Sequence, residues 1–128
     1  MMKWFNLLDY PFNEVYGGSI IRVPTMKPYN GEWYIDPVVD FLVFEAYSLM
    51  PDAGLGLMVI SGPKAGKVNV VFPNSSYTPN TRGLNKRWLI DNWKKFFYRD
   101  GEPHQAWIVS AGSLSVLPNG DEWDIPDA

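Results

Sequence analysis

Gly56–Pro73, GLMVISGPKAGKVNVVFP, decides the fold. Two apolar runs, Leu57–Ile60 and Val68–Phe72, flank Gly62-Pro63-Lys64-Ala65-Gly66. Val68, Val70 and Phe72 alternate with Lys67, Asn69 and Val71, the period of a half-buried strand. Glycine and proline punctuate the middle, so the stretch reads as a β-hairpin with a loop of about five residues. Both runs are rich in β-branched and large apolar residues, which predicts central rather than edge positions in a sheet.

Working outward, Asp36-Pro37 opens a predicted helix that runs through VVDFLVFEAYSLM to about Met50, before Pro51. An aspartate can cap the first free amides, and proline at the first helical position has no amide to lose. Val39, Leu42, Val43, Ala46 and Leu49 or Met50 fall near helical spacing, and Phe41 and Phe44 widen the apolar surface. Pro51–Gly54 reads as the loop into the hairpin. Downstream, NSSYTPNTRG is a polar loop. Leu84–Tyr98, LNKRWLIDNWKKFFY, then predicts a second helix, with Asn85 or Asn80 as its cap.

The ends supply further strands. Met1–Tyr10 reads as a short strand or a tethered arm, Gly17-Gly18 as a turn, and Ser19–Val23 as a strand with Pro24 at an edge or terminus. Asn30-Gly31 signals a hairpin returning as Glu32–Ile35. Gln105–Ser110, a turn at Ala111–Ser113 and Leu114–Leu117 suggest a closing hairpin. The expected fold is therefore α+β: one domain over residues 1–128. It has a mainly antiparallel sheet of about five or six strands and two principal helices, at about 37–50 and 84–98.

Composition bounds the function. The 128 residues are 46% hydrophobic and 20% charged, enough for a full core without staples. There is no cysteine, which removes disulfides, thiolate nucleophiles and cysteine metal sites and suits a reducing cytosol. No apolar run has the length of a signal peptide or a membrane span, so a cytoplasmic protein with no membrane association is expected. The net charge of −3 is unevenly placed. Arg82–Arg99 holds six bases against Asp91, whereas the tail Asp121–Ala128 holds four acids and no base.

Few motifs carry chemistry. Gly62…Gly66-Lys67 has three residues between its glycines, a valine after the lysine and a strand to follow. A phosphate loop needs four residues, Ser or Thr, and a helix, so this is a hairpin turn. His104, the only histidine, reads as a loop residue rather than a base oriented by Asp100 or Glu102. With one histidine and no cysteine, no metal or cofactor is expected. Asp36 and Asp40, one helical turn apart on the predicted helix, are explained by a cap and a solvated face. The basic aromatic helix follows core periodicity, so no direct nucleic-acid partner is expected. No set of residues names a reaction, and the protein is read as a non-enzyme.

EWYIDPVVDFLVFE, GLMVISGPKAGKVNVVFP and RWLIDNWKKFFY together resemble a family of bacterial immunity proteins, over about Lys3 to Val109. Trp88-Leu89-Ile90-Asp91-Asn92-Trp93 is the most distinctive piece. Such proteins are encoded beside polymorphic or contact-dependent growth-inhibition toxins. The resemblance implies a small cytosolic α+β protein that binds and neutralises one cognate toxin domain, with no catalytic residues to carry over. Because many such toxins have basic nucleic-acid clefts, an acidic surface is the expected contact. Asp121, Glu122, Asp124 and Asp127, with Trp123 as an aromatic anchor, form the first candidate; Asp36 and Asp40 form the second. The alternative function is a small-ligand or carbohydrate-binding module with an exposed aromatic surface.

Overall fold

The computed structural model describes residues 3–26, 37–46, 53–77, 82–97 and 100–110. Its strands are β1 (Trp4–Asn6), β2 (Glu14–Val15), β3 (Ile20–Pro24), β4 (Val38–Phe44), β5 (Ala53–Val59), β6 (Val68–Pro73), β7 (Leu84–Asn85) and β8 (Trp107–Val109). Two short helices, α1 (Lys86–Asp91) and α2 (Trp93–Phe96), follow β7.

The hairpin read from Gly56–Pro73 is β5–β6, with Leu57 opposite Val70 and Met58 opposite Val68. Its connection closes through Gly66 N–H donating to Val59 O at 2.6 Å and Ala65 N–H to Gly62 O at 3.1 Å. Gly62 and Gly66 take φ of 73° and 93°, which a side chain would oppose. The register slips between Leu57 and Met58, leaving Asn69 as the extra residue of a bulge. Asn69 turns to the helix side, where its Nδ2 donates to Phe96 O at 2.7 Å.

Six strands form one antiparallel sheet in the order β1-β8-β3-β4-β5-β6, and β2 pairs with β7 in a small second sheet. β5 is interior as expected, but β6 is the edge among the described strands, and Val68 is 54% exposed. Pairing registers set an apolar row across the core face: Phe5, Ile108, Ile21, Phe41 and Val59 stand opposite one another in turn. Val23 beside Val39, and Val43 beside Leu57, extend it. All of these except the half-buried Phe5 are buried.

The helix expected over about 37–50 does not form where it is described: Val38–Phe44 is β4, near the middle of the sheet. Val39, Phe41 and Val43 are buried on the core face, while Asp40, Leu42 and Phe44 are half-buried on the other. A strand apolar on both faces loses its alternation and imitates a helical run. The valines and phenylalanines, which prefer the pleated surface, decide for the strand. Ala53 and Gly54, read as loop, begin β5. The Asn30-Gly31 hairpin with Glu32–Ile35, and Leu114–Leu117 with its turn, lie outside the described residues.

The second helix is shorter than expected and divided. Asn85 caps it, its Oδ1 accepting from Trp88 N–H at 2.8 Å. At Asn92 the backbone leaves helical geometry (φ −110°, ψ 14°), and the Asn92 side chain donates to Trp88 O at 2.9 Å. The resulting bend lets both helices press on the core face. Leu89, Trp93 and Phe97 are buried. The Phe97 ring meets Phe41 edge-on at 5.2 Å, and Trp88 and Phe96 flank Phe72 at 5.8 and 5.0 Å. Trp88, Trp93, Phe96 and Phe97 thus pack on the core rather than forming a stacking platform.

One buried polar atom breaks the pattern. Thr25, just past β3, is buried, and its Oγ1 has no hydrogen-bond partner among the described residues. A buried hydroxyl without a partner costs free energy that an isosteric methyl does not. Thr25→Val should therefore stabilise the fold by about 1 kcal/mol. An unchanged or lowered urea midpoint would show that the hydroxyl is satisfied in solution.

Candidate binding face

The helices cover one face of the sheet, so the other face carries the side chains that alternate away from the core. On it, a second row crosses all six strands: Trp4, Val109, Ile20, Leu42, Met58 and Val68, of which Val68 is exposed, Val109 is buried and the others are half-buried. The next row toward the start of β4 is polar at its centre, where Asn6, Trp107, Arg22 and Asp40 stand opposite one another in turn. Beyond it Val38 sits opposite Pro24. Ile60, whose N–H donates to Asp40 O at 2.9 Å, continues the alternation of β5 onto this face.

Arg22 and Asp40 form a two-pronged ion pair, with Nε to Oδ1 at 2.8 Å and Nη2 to Oδ2 at 3.0 Å. The Trp4 ring lies against the guanidinium, 4.4 Å from its carbon to the ring centre. That cation–π contact fixes the plane of the fork. The bond to Asp40 holds the Arg22 pKa above its ordinary value, although burial pulls the other way. Asp40 is locked further through its backbone, its N–H donating to Ser61 Oγ at 2.8 Å. The Arg22 side chain is 45% exposed and that of Asp40 only 18%, so the pair shows solvent its cation.

Apolar side chains ring this pair. Among the described residues eight large apolar side chains are exposed. Four of them belong to this face: Trp107, Val38, Ile60 and Val68. A tryptophan and an arginine amid apolar neighbours is the composition of a protein-binding hot spot.

The other sequence candidates fall elsewhere. Asp40 is not on a helix one turn from Asp36; it is a strand residue whose charge is met by Arg22. Asp36, Asp121, Glu122, Trp123, Asp124 and Asp127 lie outside the described residues. His104 is exposed on a 3-10 turn, and its backbone carbonyl accepts from Asn6 Nδ2 at 2.6 Å. Asp100 accepts from the Met26 amide at 2.9 Å rather than orienting that imidazole. The bases around the helices have local partners: Lys86 donates to Tyr10 O at 2.7 Å, Arg87 meets Asp91 and Lys94 meets Glu102, both at 3.5 Å. Among the described residues no three His, Cys, Asp or Glu side chains are grouped to hold a metal ion. No helix of the described residues is long and apolar enough to cross a membrane.

Two open depressions flank α1. One, of about 460 Å³, lies between Leu8, Asn13 and Lys86–Arg87; the other, of about 330 Å³, lies between Asp91–Lys95 and Glu102. Neither is lined by the exposed rings Phe12, Tyr16 or Trp107, as a sugar cleft would require.

A family model described as Immunity protein 45 matches residues 7–111. The chain belongs to the Immunity protein 45 family. No curated protein and no solved structure matches the chain significantly. The Immunity protein 45 match takes in β2 to β8, hence both halves of the Arg22–Asp40 pair and Trp107, and begins just after Trp4. The acidic tail at 121–128 lies beyond it. Membership gives an immunity role, a toxin protein as partner in general, and a family that is generally non-enzymatic.

Trp4, Arg22 and Trp107 were not among the residues singled out from sequence. The signal was present in SIIRV and VVDFLVF, each of which places one charge at the same phase of a strand alternation. Reading the second as a helix hid the cross-strand pairing.

Proposed function

We propose that this protein binds and neutralises the toxin domain encoded beside it. The setting is a polymorphic or contact-dependent growth-inhibition system, and the mode is protein–protein association in the cytoplasm that occludes the toxin's active site. The family match over residues 7–111 carries this reading. The exposed Trp107, Val38 and Ile60 around the Arg22–Asp40 pair support this part of the outer sheet face, the open face, as the principal contact surface. The acidic tail, through Asp121, Glu122, Asp124 and Asp127 with Trp123, serves as a second arm that steers a basic toxin cleft, together with Asp36. The whole chain, 1–128, acts as one domain.

The test is co-expression with the C-terminal domain of the protein encoded immediately upstream, reading growth rescue and co-purification. Trp107→Ala should weaken binding roughly 30-fold, about 2 kcal/mol, with little change in melting temperature. Removal of Asp121–Ala128 should slow association at low salt. Wild-type affinity for the Trp107 variant would move the contact off this face. An unchanged association rate for the truncated chain would remove the tail.

A further inference from the structure

We infer that Arg22 is an anchor for a partner carboxylate, through an edge of its guanidinium that the fold leaves open. The inference rests on the open sheet face being the toxin contact.

A guanidinium has five N–H groups in two forked edges. Asp40 occupies the edge made by Nε and Nη2. Among the described residues Nη1 has no hydrogen-bond acceptor, so the end edge, with its two parallel N–H vectors from Nη1 and Nη2, is left open there. Trp4 covers a ring-facing side of the group at 4.4 Å, and the side chain is 45% exposed. The open edge is therefore oriented before any partner arrives. Preorganisation reduces the entropy lost on binding, and pairing with Asp40 lowers the cost of desolvating the cation.

A planar, two-oxygen anion matches that edge, and on a protein surface this is an aspartate or glutamate side chain. A cation from the partner fits less well, because the Asp40 carboxylate is the less exposed member and its charge is already met by Arg22. Trp107, opposite Arg22 on β8, and the nearby Val38 and Ile60 exclude water from such a contact. The toxin element that docks here accordingly carries a carboxylate amid apolar side chains. It is distinct in charge from any basic cleft that the acidic tail would address.

Calorimetric titration of the purified full chain with a catalytically inactivated C-terminal domain of the upstream-encoded protein tests this. Four chains are compared: wild type, Trp107→Ala, Arg22→Lys and Arg22→Gln. Arg22→Gln should bind roughly 10- to 100-fold more weakly, with a shallower dependence of affinity on salt. Arg22→Lys should also lose at least several-fold, because an ammonium keeps the charge without the fork. Replacing the exposed Asp and Glu residues of the toxin domain one at a time should reveal one whose effect vanishes in the Arg22→Gln background. Full affinity of both Arg22 variants, with Trp107→Ala weakened, would overturn the carboxylate anchor and leave the face in place. Full affinity of Arg22→Lys alone would overturn the forked geometry. Wild-type affinity for every variant, or no binding by the wild type, would overturn the face and the anchor together.

Discussion

Phe41→Ala is expected to lower stability by about 3–5 kcal/mol. Phe41 is fully buried on β4, stands between Ile21 and Val59 in the core row, and meets the Phe97 ring at 5.2 Å. Truncation removes the buried ring and leaves a cavity between sheet and helices, which the rigid sheet cannot collapse to fill. Domains of this kind are stable by only about 5–15 kcal/mol, so the variant should be largely unfolded at modest urea. The neighbouring Leu42→Ala should cost much less, because Leu42 points to the open face and is half-buried. Equal costs at the two adjacent positions would contradict the alternation of a strand.

Gly101→Ala should cost about 3 kcal/mol, the upper end for overpacking. A methyl there would be driven into the Pro24 carbonyl oxygen and would sit 2.9 Å from Pro24 Cδ and 3.1 Å from Val23 Cγ1. The obstacle is backbone at the end of β3, which cannot rotate away. The Gly101 carbonyl also accepts the Trp93 indole N–H at 2.8 Å, so any retreat disturbs the buried end of α2. Gly66 provides the comparison. A methyl at Gly66 meets nothing within 4 Å, and only the left-handed backbone (φ +93°) opposes it. That substitution should cost about 1 kcal/mol. Similar unfolding midpoints for the two variants would show that the β3 end yields freely.

Local signals were legible wherever a short run of residues contains its own explanation. The β5–β6 hairpin follows from Gly62 and Gly66 between two apolar runs, and Asn85 announces its helix by capping Trp88. The α+β class follows from the same runs. β4 reads as a helix in the sequence because its apolar residues serve both faces of the sheet, and helical spacing can always be found in such a run. The break at Asn92 depends on a side chain turning back to the Trp88 carbonyl, a choice that polarity alone does not dictate. The position of β6 at an edge depends on strand order, which residue propensity does not encode.

The candidate face was the least legible part, for the same reason. Arg22 meets Trp107 and Asp40 only because β3 lies between β8 and β4, strands that begin about 85 residues after it and 18 residues after it. SIIRV and VVDFLVF each carry one charge at the same strand phase, but nothing in either run says that the two strands are neighbours or that β8 joins them. The family resemblance, by contrast, rests on hydrophobic and turn patterns spread along the chain, and the match over residues 7–111 agrees with it.

The place of β8 between β1 and β3 also constrains the order in which the protein can assemble. β3, β4, β5 and β6 are sheet neighbours in chain order and can zip as a meander while later residues are still being synthesised. β1 is made first yet has no described strand partner until Trp107–Val109 arrives, so the earliest strand is among the last to be placed. Until then the flank of β3 is a bare edge carrying Ile21 and Val23, open to pairing with another chain. A nascent chain stalled or cleaved ahead of Trp107 would keep that edge exposed and would lack the tryptophan of the open face. Chain breakage at this point would convert a folded protein into an aggregation-prone one.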